Sequence, residues 1–233
     1  MKKIISQTWK FFLDVLFPPQ CLNCRLPIAD QSKLLCQNCF DEIQLNSSLY
    51  CPKCMARLPN RNFLCHDTDY LLAPASRFFP PLPALIHNFK YRGLIKINLM
   101  LSGILIAYLK HSGLDISSYS ISFIPLHSSK QRERGFNQAE TLAKTVSEYF
   151  SVPLHPVLKR AVNNKQQAKI KDFQKRAENI SGCFQITDAK NVAGKNIVLV
   201  DDVSTSGATL AEASRMLKKY GAKRIIALVV AKA

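Results

Sequence analysis

A chain of 233 residues with 47% hydrophobic and 21% charged side chains can bury a real core, which excludes a wholly disordered or fibrous protein. Its formal charge of +16 points to anionic partners: nucleic acid, pyrophosphate-bearing small molecules or an anionic membrane face. Each zinc ion held by four thiolates would lower that charge by about 2, too little to change the reading.

Residues 1–20 read as an amphipathic helix, because Ile5, Trp9, Phe12, Leu13 and Leu16 recur at helical spacing. Two lysines followed by apolar residues imitate a secretory signal, but Lys10 and Asp14 interrupt the run and no small-x-small cleavage site follows. The expectation is a cytoplasmic protein whose first helix docks on the rest of the chain, with a membrane-surface helix as the alternative. No run of eighteen apolar residues occurs, so the protein is expected not to be membrane-spanning.

Residues 21–68 form a cysteine-rich region. Cys21-x2-Cys24 and Cys36-x2-Cys39 set four soft ligands on two tight turns, the pattern of a tetrahedral structural zinc in a zinc ribbon. A second set, Cys51, Cys54 and Cys65, lacks a fourth cysteine because Thr68 stands in that position. His66 could complete a Cys3His site, so one zinc or two remain open. Cys183 stands alone and reads as a small buried residue. Residues 69–83, with Pro74, Pro80, Pro81 and Pro83, read as a linker.

Residues 84–233 show an α/β pattern. Leu85, Ile86 and Phe89 make a helix face, and Leu99–Leu109 is apolar nearly all round, as a buried helix would be. Ser120–Pro125 is a strand that runs into Leu126, His127, Ser128 and Ser129. The basic stretch from Lys130 then opens a helix whose Ala139, Leu142, Ala143, Val146 and Phe150 face inward. Lys159–Arg176 holds seven basic residues and one acid and reads as a basic loop with a short helix, either a solvated face, a closing loop or a track for a nucleic-acid backbone. Ile197–Val200 is a strand buried on both faces, followed by Asp201 and Asp202. Thr205, Ser206, Gly207, Ala208 and Thr209 then lead into a helix with Leu210, Ala213, Met216 and Leu217 on one face, and Arg224–Val230 closes the sheet.

A hydroxyl-rich, glycine-containing turn at a helix N-terminus is a cradle for a phosphate, and two carboxylates beside it suit the hydroxyls of a ribose. A ribose 5-phosphate satisfies both. The stretch VLVDDVSTSGATL resembles the 5-phosphoribosyl-1-pyrophosphate (PRPP) signature of type I phosphoribosyltransferases, with Ser206 where the second Thr usually stands. That resemblance implies PRPP with Mg²⁺, Asp201 and Asp202 as the catalytic carboxylates on the ribose, and Thr205–Thr209 on the 5-phosphate. It also implies a pyrophosphate loop at Pro125, Leu126, His127 and Ser128. Purine-salvage members carry an Asp where this chain has Thr205, so purine salvage is disfavoured. The fold expected is a type I phosphoribosyltransferase α/β fold with a parallel central sheet, preceded by a zinc ribbon.

LFPPQCLNC, LIHNFKYRG, IPLH, RERGFNQAETLA and the signature occur in that order, and with Gln167, Ile170, Arg176, Asn179 and Phe184 they resemble the ComF family of competence-associated phosphoribosyltransferase-like proteins. The resemblance implies a role in DNA uptake during natural transformation, alongside a helicase-like translocase and with single-stranded DNA as a partner. Arg132, Arg134, Lys165, Lys169 and Lys171 are then the nucleic-acid candidates. An active phosphoribosyltransferase with an unknown acceptor is the alternative, and whether catalysis occurs is open.

Overall fold

The computed structural model describes residues 18–30, 32–58, 66–92, 95–161 and 182–233. Residues 1–17 of the helix expected over 1–20, Cys65, Lys165, Lys169 and Lys171 lie outside them, and residues 18–20 are not helical.

The described elements in chain order are α1 (Gln37–Asp41), β1 (Leu49–Tyr50), β2 (Arg57–Leu58), β3 (Leu71–Arg77), α2 (Leu82–Arg92), α3 (Ile95–Ser112) and β4 (Tyr119–Phe123). These are followed by α4 (Ser128–Arg134), α5 (Gln138–Phe150), β5 (Leu158–Arg160), β6 (Phe184–Ile186), β7 (Asn196–Ser204), α6 (Ala208–Lys219) and β8 (Arg224–Lys232). Six strands form one sheet in the order β2-β1-β3-β8-β7-β4, and β5 pairs with β6 apart from it. β3, β8, β7 and β4 run parallel, while β1 and β2 join antiparallel, so the sheet is mixed rather than wholly parallel. β4 is buried throughout, as is β8 from Ile225 to Ala231. β8 and the Ile197–Val200 segment of β7, covered on both faces, read as continuous apolar runs, whereas β4 alternates, with Ser120 and Ser122 between Tyr119, Ile121 and Phe123. α5 lays Leu142, Ala143 and Val146 against β7 and β4, and α3 packs beside it against β3 and β8.

Three expectations need correction. Residues 69–83 are not a linker: β3 lies inside them, buried from Leu71 to Ser76 and paired with β8 from Leu71↔Ile226 to Arg77↔Lys232. Pro74 is tolerated because β1 meets β3 only at Tyr50↔Leu72. Farther along, the neighbour on that side is a loop whose Asn46 Nδ2 donates to the Pro74 carbonyl at 2.9 Å, so the proline interrupts no ladder there. Second, Asp201 and Asp202 do not follow their strand but lie within it, since Val203 and Ser204 continue the ladder opposite Ala231 and Lys232. Third, the helix expected from Lys130 onward is two helices. Gly135 ends α4 in the left-handed region at φ 79°, and Asn137 caps α5.

Candidate functional site

The C-terminal ends of the parallel strands deliver the carboxylates to a cleft of 340 Å³. Asp201 Oδ1 accepts the Asp202 amide at 2.8 Å, and Asp202 Oδ1 accepts the Val203 amide at 2.7 Å, so each carboxylate is steered by the backbone after it. Asp202 Oδ2 is also ion-paired at 2.8 Å with Lys90 Nζ, which arrives from the last turns of α2. Burial, reinforced by the Asp202 charge, pushes the Asp201 carboxyl up to about 7. Near neutrality Asp201 can therefore hold or release a proton inside the cleft.

Thr205 and Thr209 line the same cleft, and the turn between them is built for an anion. Gly207, the N-cap of α6, sits at φ 77° and has no side chain to cap the helix, and Ser206 Oγ accepts the Ala208 amide at 3.4 Å. A side chain at 207 would be strained and would meet the Tyr70 hydroxyl at 3.2 Å. Ser204 Oγ lies 3.9 Å from that same point and is buried without a hydrogen-bond partner among the described residues. A hydroxyl-rich turn at a helix N-terminus fits a ligand with acceptor oxygens, and of this turn Thr205 and Thr209 line the cleft while Ser206, Gly207 and Ala208 do not. Lys232 Nζ donates to the Thr205 carbonyl at 2.8 Å, which ties the turn to β8 and adds a cation beneath it.

Of the expected pyrophosphate loop, Leu126 lines the cleft, whereas Pro125, His127 and Ser128 are not among its lining residues. His127 instead caps α4: its Nδ1 accepts the Ser129 amide at 3.3 Å and lies 2.8 Å from Ser129 Oγ. Arg134 lines the cleft, and Arg132 is exposed outside it. Sequence reasoning assigned no individual role to Phe78, Lys90, Tyr91, Lys130, Asn137, Gln138 or Arg160, all of which line the cleft. Phe78 carried no signal, whereas Lys90 and Tyr91 stand in LIHNFKYRG, Asn137 and Gln138 in RERGFNQAETLA, Lys130 in the basic stretch before it and Arg160 in the basic run from Lys159.

The sulfurs of Cys21, Cys24, Cys36 and Cys39 lie within 4.8 Å of one another. Cys24 and Cys36 are 3.7 Å apart, close to the roughly 3.8 Å edge of a tetrahedron with Zn–S bonds of about 2.3 Å. Burial opposes ionisation of Cys21, yet backbone hydrogen bonds from Cys24, Cys36 and Asn23 bring it down to about 6. Asn23 Nδ2 donates to Cys39 Sγ at 3.3 Å, but burial and the neighbouring thiols push Cys39 up to about 12. One thiolate therefore forms readily while its neighbours resist further charge, a conflict that a divalent cation resolves.

Cys51, Cys54 and His66 form a second cluster, with Cys51 Sγ 3.5 Å from His66 Nδ1. Its first half repeats the geometry of the first site. In Cys21–Leu26 the Arg25 amide donates to the Cys21 carbonyl and the Cys21 amide to the Leu26 carbonyl, and in Cys51–Ala56 the Met55 and Cys51 amides make the same two bonds. Arg25 and Met55 both take a left-handed conformation, at φ 66° and 59°. The two Cys-x2-Cys turns thus share one backbone geometry, that of the first half of the four-cysteine cluster.

Comparison with known proteins agrees with this arrangement. A double zinc ribbon domain matches residues 12–68, and a phosphoribosyl transferase domain matches residues 137–233. Competence protein F of Haemophilus influenzae is 28% identical over 220 residues, covering 88% of this chain and 93% of that protein. The DNA utilization protein YhgH of Escherichia coli K12 is 27% identical over 221 residues, covering 89% and 94%. Competence protein ComFC of Bacillus subtilis is 40% identical over 98 residues, covering 42% and 38%. A double zinc ribbon and a phosphoribosyl transferase domain follow one another along this chain, and its similarity to competence protein F over most of its length and to ComFC over 98 residues makes it similar to the ComF family.

Proposed function

We propose that this protein is a ComF-like competence protein that supports DNA uptake in natural transformation, and that its cleft binds PRPP with Mg²⁺. The observation that carries the PRPP reading is the convergence, in one cleft, of Asp201 and Asp202 with Thr205 and Thr209, the two ends of the glycine-containing turn that starts α6. Thr205–Thr209 takes the 5-phosphate through hydroxyls and amides, and the two carboxylates accept hydrogen bonds from the ribose hydroxyls. Mg²⁺, when bound, supplies charge neutralisation for the pyrophosphate, whose end of the cleft is bounded by Leu126. The carboxylates also stabilise positive charge that develops at C1 if the leaving group departs. DNA uptake rests on the names of the relatives and on the charge of +16. Single-stranded DNA and a helicase-like translocase are the partners, acting in the cytoplasm. No helix among the described residues is long and apolar enough to cross a membrane.

The alternative, an active transferase with an unknown acceptor, is favoured by the Asp201 carboxyl near 7, a group suited to exchanging a proton with an acceptor. A thermal-shift titration tests the binding reading. PRPP with Mg²⁺ at a hundredfold excess over its Kd should stabilise the fold by about 2.7 kcal/mol, because the ligand binds only the native state. No shift would overturn it. Release of pyrophosphate that requires an added acceptor would establish the transferase.

A further inference from the structure

The PRPP reading leaves one side of the cleft without a role. Lys130 and Arg134 from α4 and Arg160 from β5 all line it, and none makes an ion pair with a carboxylate among the described residues. Lys90 is already committed to Asp202. Burial lowers the Lys130 pKa, and the charges of Arg160 and Arg134 lower it further, so these cations crowd one another in a partly dry site. Such crowding is relieved by an anion.

Beside them stands an aromatic platform. Tyr91 lines the cleft with 62% of its surface exposed, and the Arg134 guanidinium lies 5.8 Å over its ring. The His87 ring braces it at 4.8 Å with a 44° tilt. The buried Gln138 accepts from Arg134 Nη1 at 3.1 Å through Oε1 and donates to the Lys90 carbonyl at 3.5 Å through Nε2. The arginine is thereby held in register with the Lys90–Tyr91 corner. Phe78, 38% exposed, lines the same cleft.

We infer that this side of the cleft binds a nucleobase together with its own phosphate, the base stacking on Tyr91 and Arg134 and the phosphate meeting Lys130 and Arg160. The inference rests on the reading of the Asp201–Asp202 side as the phosphoribosyl site, because it makes the nucleotide the neighbour of the ribose C1. A flat exposed ring with a guanidinium over it accepts any base through its π-face, and the cations are indifferent to base identity. The same chemistry is offered by a free mononucleotide and by one residue of a single strand. The two sources separate by affinity and by salt dependence.

The experiment uses the full-length zinc-loaded protein. Binding of fluorescent dT12 is followed by anisotropy from 50 to 200 mM salt, with unlabelled dTMP and inorganic pyrophosphate as competitors. Tyr91→Ala should weaken nucleotide binding about tenfold through the lost stack, while Tyr91→Phe retains it. Lys130→Gln with Arg160→Gln should lower the salt slope by about 1. Tight dT12 binding displaced only by high dTMP identifies the strand as the source; equal affinity for dTMP identifies the mononucleotide, and either supports the inference. Wild-type binding of pyrophosphate but of neither dT12 nor dTMP would overturn it, as would nucleotide binding unchanged in both Tyr91→Ala and the double variant. A PRPP–Mg²⁺ thermal shift on the same preparations keeps the two readings apart: Tyr91→Ala should retain it, and its absence from the wild type would sink the phosphoribosyl reading without touching the nucleotide result.

Discussion

Asp201 shows what a functional carboxylate does to the protein that carries it. Burial and the adjacent Asp202 raise its pKa from 3.8 to about 7, so in the native state it holds a proton that an unfolded chain would already have lost. The stability linked to that proton is fully present below about pH 4 and is lost as pH rises through about 7. Asp201→Asn removes the titration. We expect the ligand-free variant to be more stable than the wild type at pH 8 by on the order of 1–2 kcal/mol, with the difference vanishing near pH 4. Urea unfolding at pH 4, 6 and 8 measures it, and a difference that is constant with pH would contradict the assignment. The same variant should lose most of the PRPP–Mg²⁺ shift, so stability and ligand response move in opposite directions.

At the scale of elements, the join between α4 and α5 sets where Arg134 and Gln138 enter the cleft. Asn137, only 4% exposed, holds that join with both ends of its amide: Oδ1 accepts the Ala139 amide at 3.1 Å and Nδ2 donates to the Ile124 carbonyl at 3.1 Å. Asn137→Ala should cost about 2 kcal/mol, since it removes a cap and leaves a buried carbonyl unpaired. Asn137→Asp keeps the cap and should cost less; equal losses in chemical denaturation would show that the cap has no part in it. The sequence does contain the stop and start signals, Gly135 and Asn137, but the apolar spacing of α5 masks the break when periodicity alone is followed. Strands β7 and β8 were legible because burial on both faces leaves an unmistakable apolar run, and β4 because its β-branched and aromatic residues alternate with Ser120 and Ser122. β3 was not legible, because its Pro74 is excused by a neighbouring loop that local sequence does not announce. Lys90 and Arg160 were legible only as members of longer stretches, because the topology alone brings α2 and β5 to the end of β7.

For the molecule as a whole, the cysteine-rich region is an extension of the sheet rather than a separate appendage. β1 and β2 lie between Asn46 and Leu58, and further bonds join this region to the α/β unit: Ser76 Oγ to the Gln44 carbonyl at 2.6 Å and Tyr108 Oη to the Ser48 carbonyl at 2.7 Å. Metal removal should therefore be felt in the sheet. With Cys36→Ser, or after chelation, zinc measured by elemental analysis should fall and hydrogen exchange should rise in β3, which borders β1. β4, at the far edge, should be little changed, and equal exchange in both strands would contradict this coupling.

The single ladder contact between Tyr50 and Leu72 bears on how the chain behaves if it is cut. A fragment beginning near residue 69 would retain β3 as an edge strand, and the side of it that now faces β1 and the 44–46 loop would be bare. That strand carries six buried residues and no charge before Arg77, and against pairing with other chains it has only Pro74, whose missing N–H removes one donor from that side. By covering it the ribbon would guard against self-association as well as hold metal, and the α/β unit freed of it is expected to aggregate through this strand, which light scattering from the fragment would show.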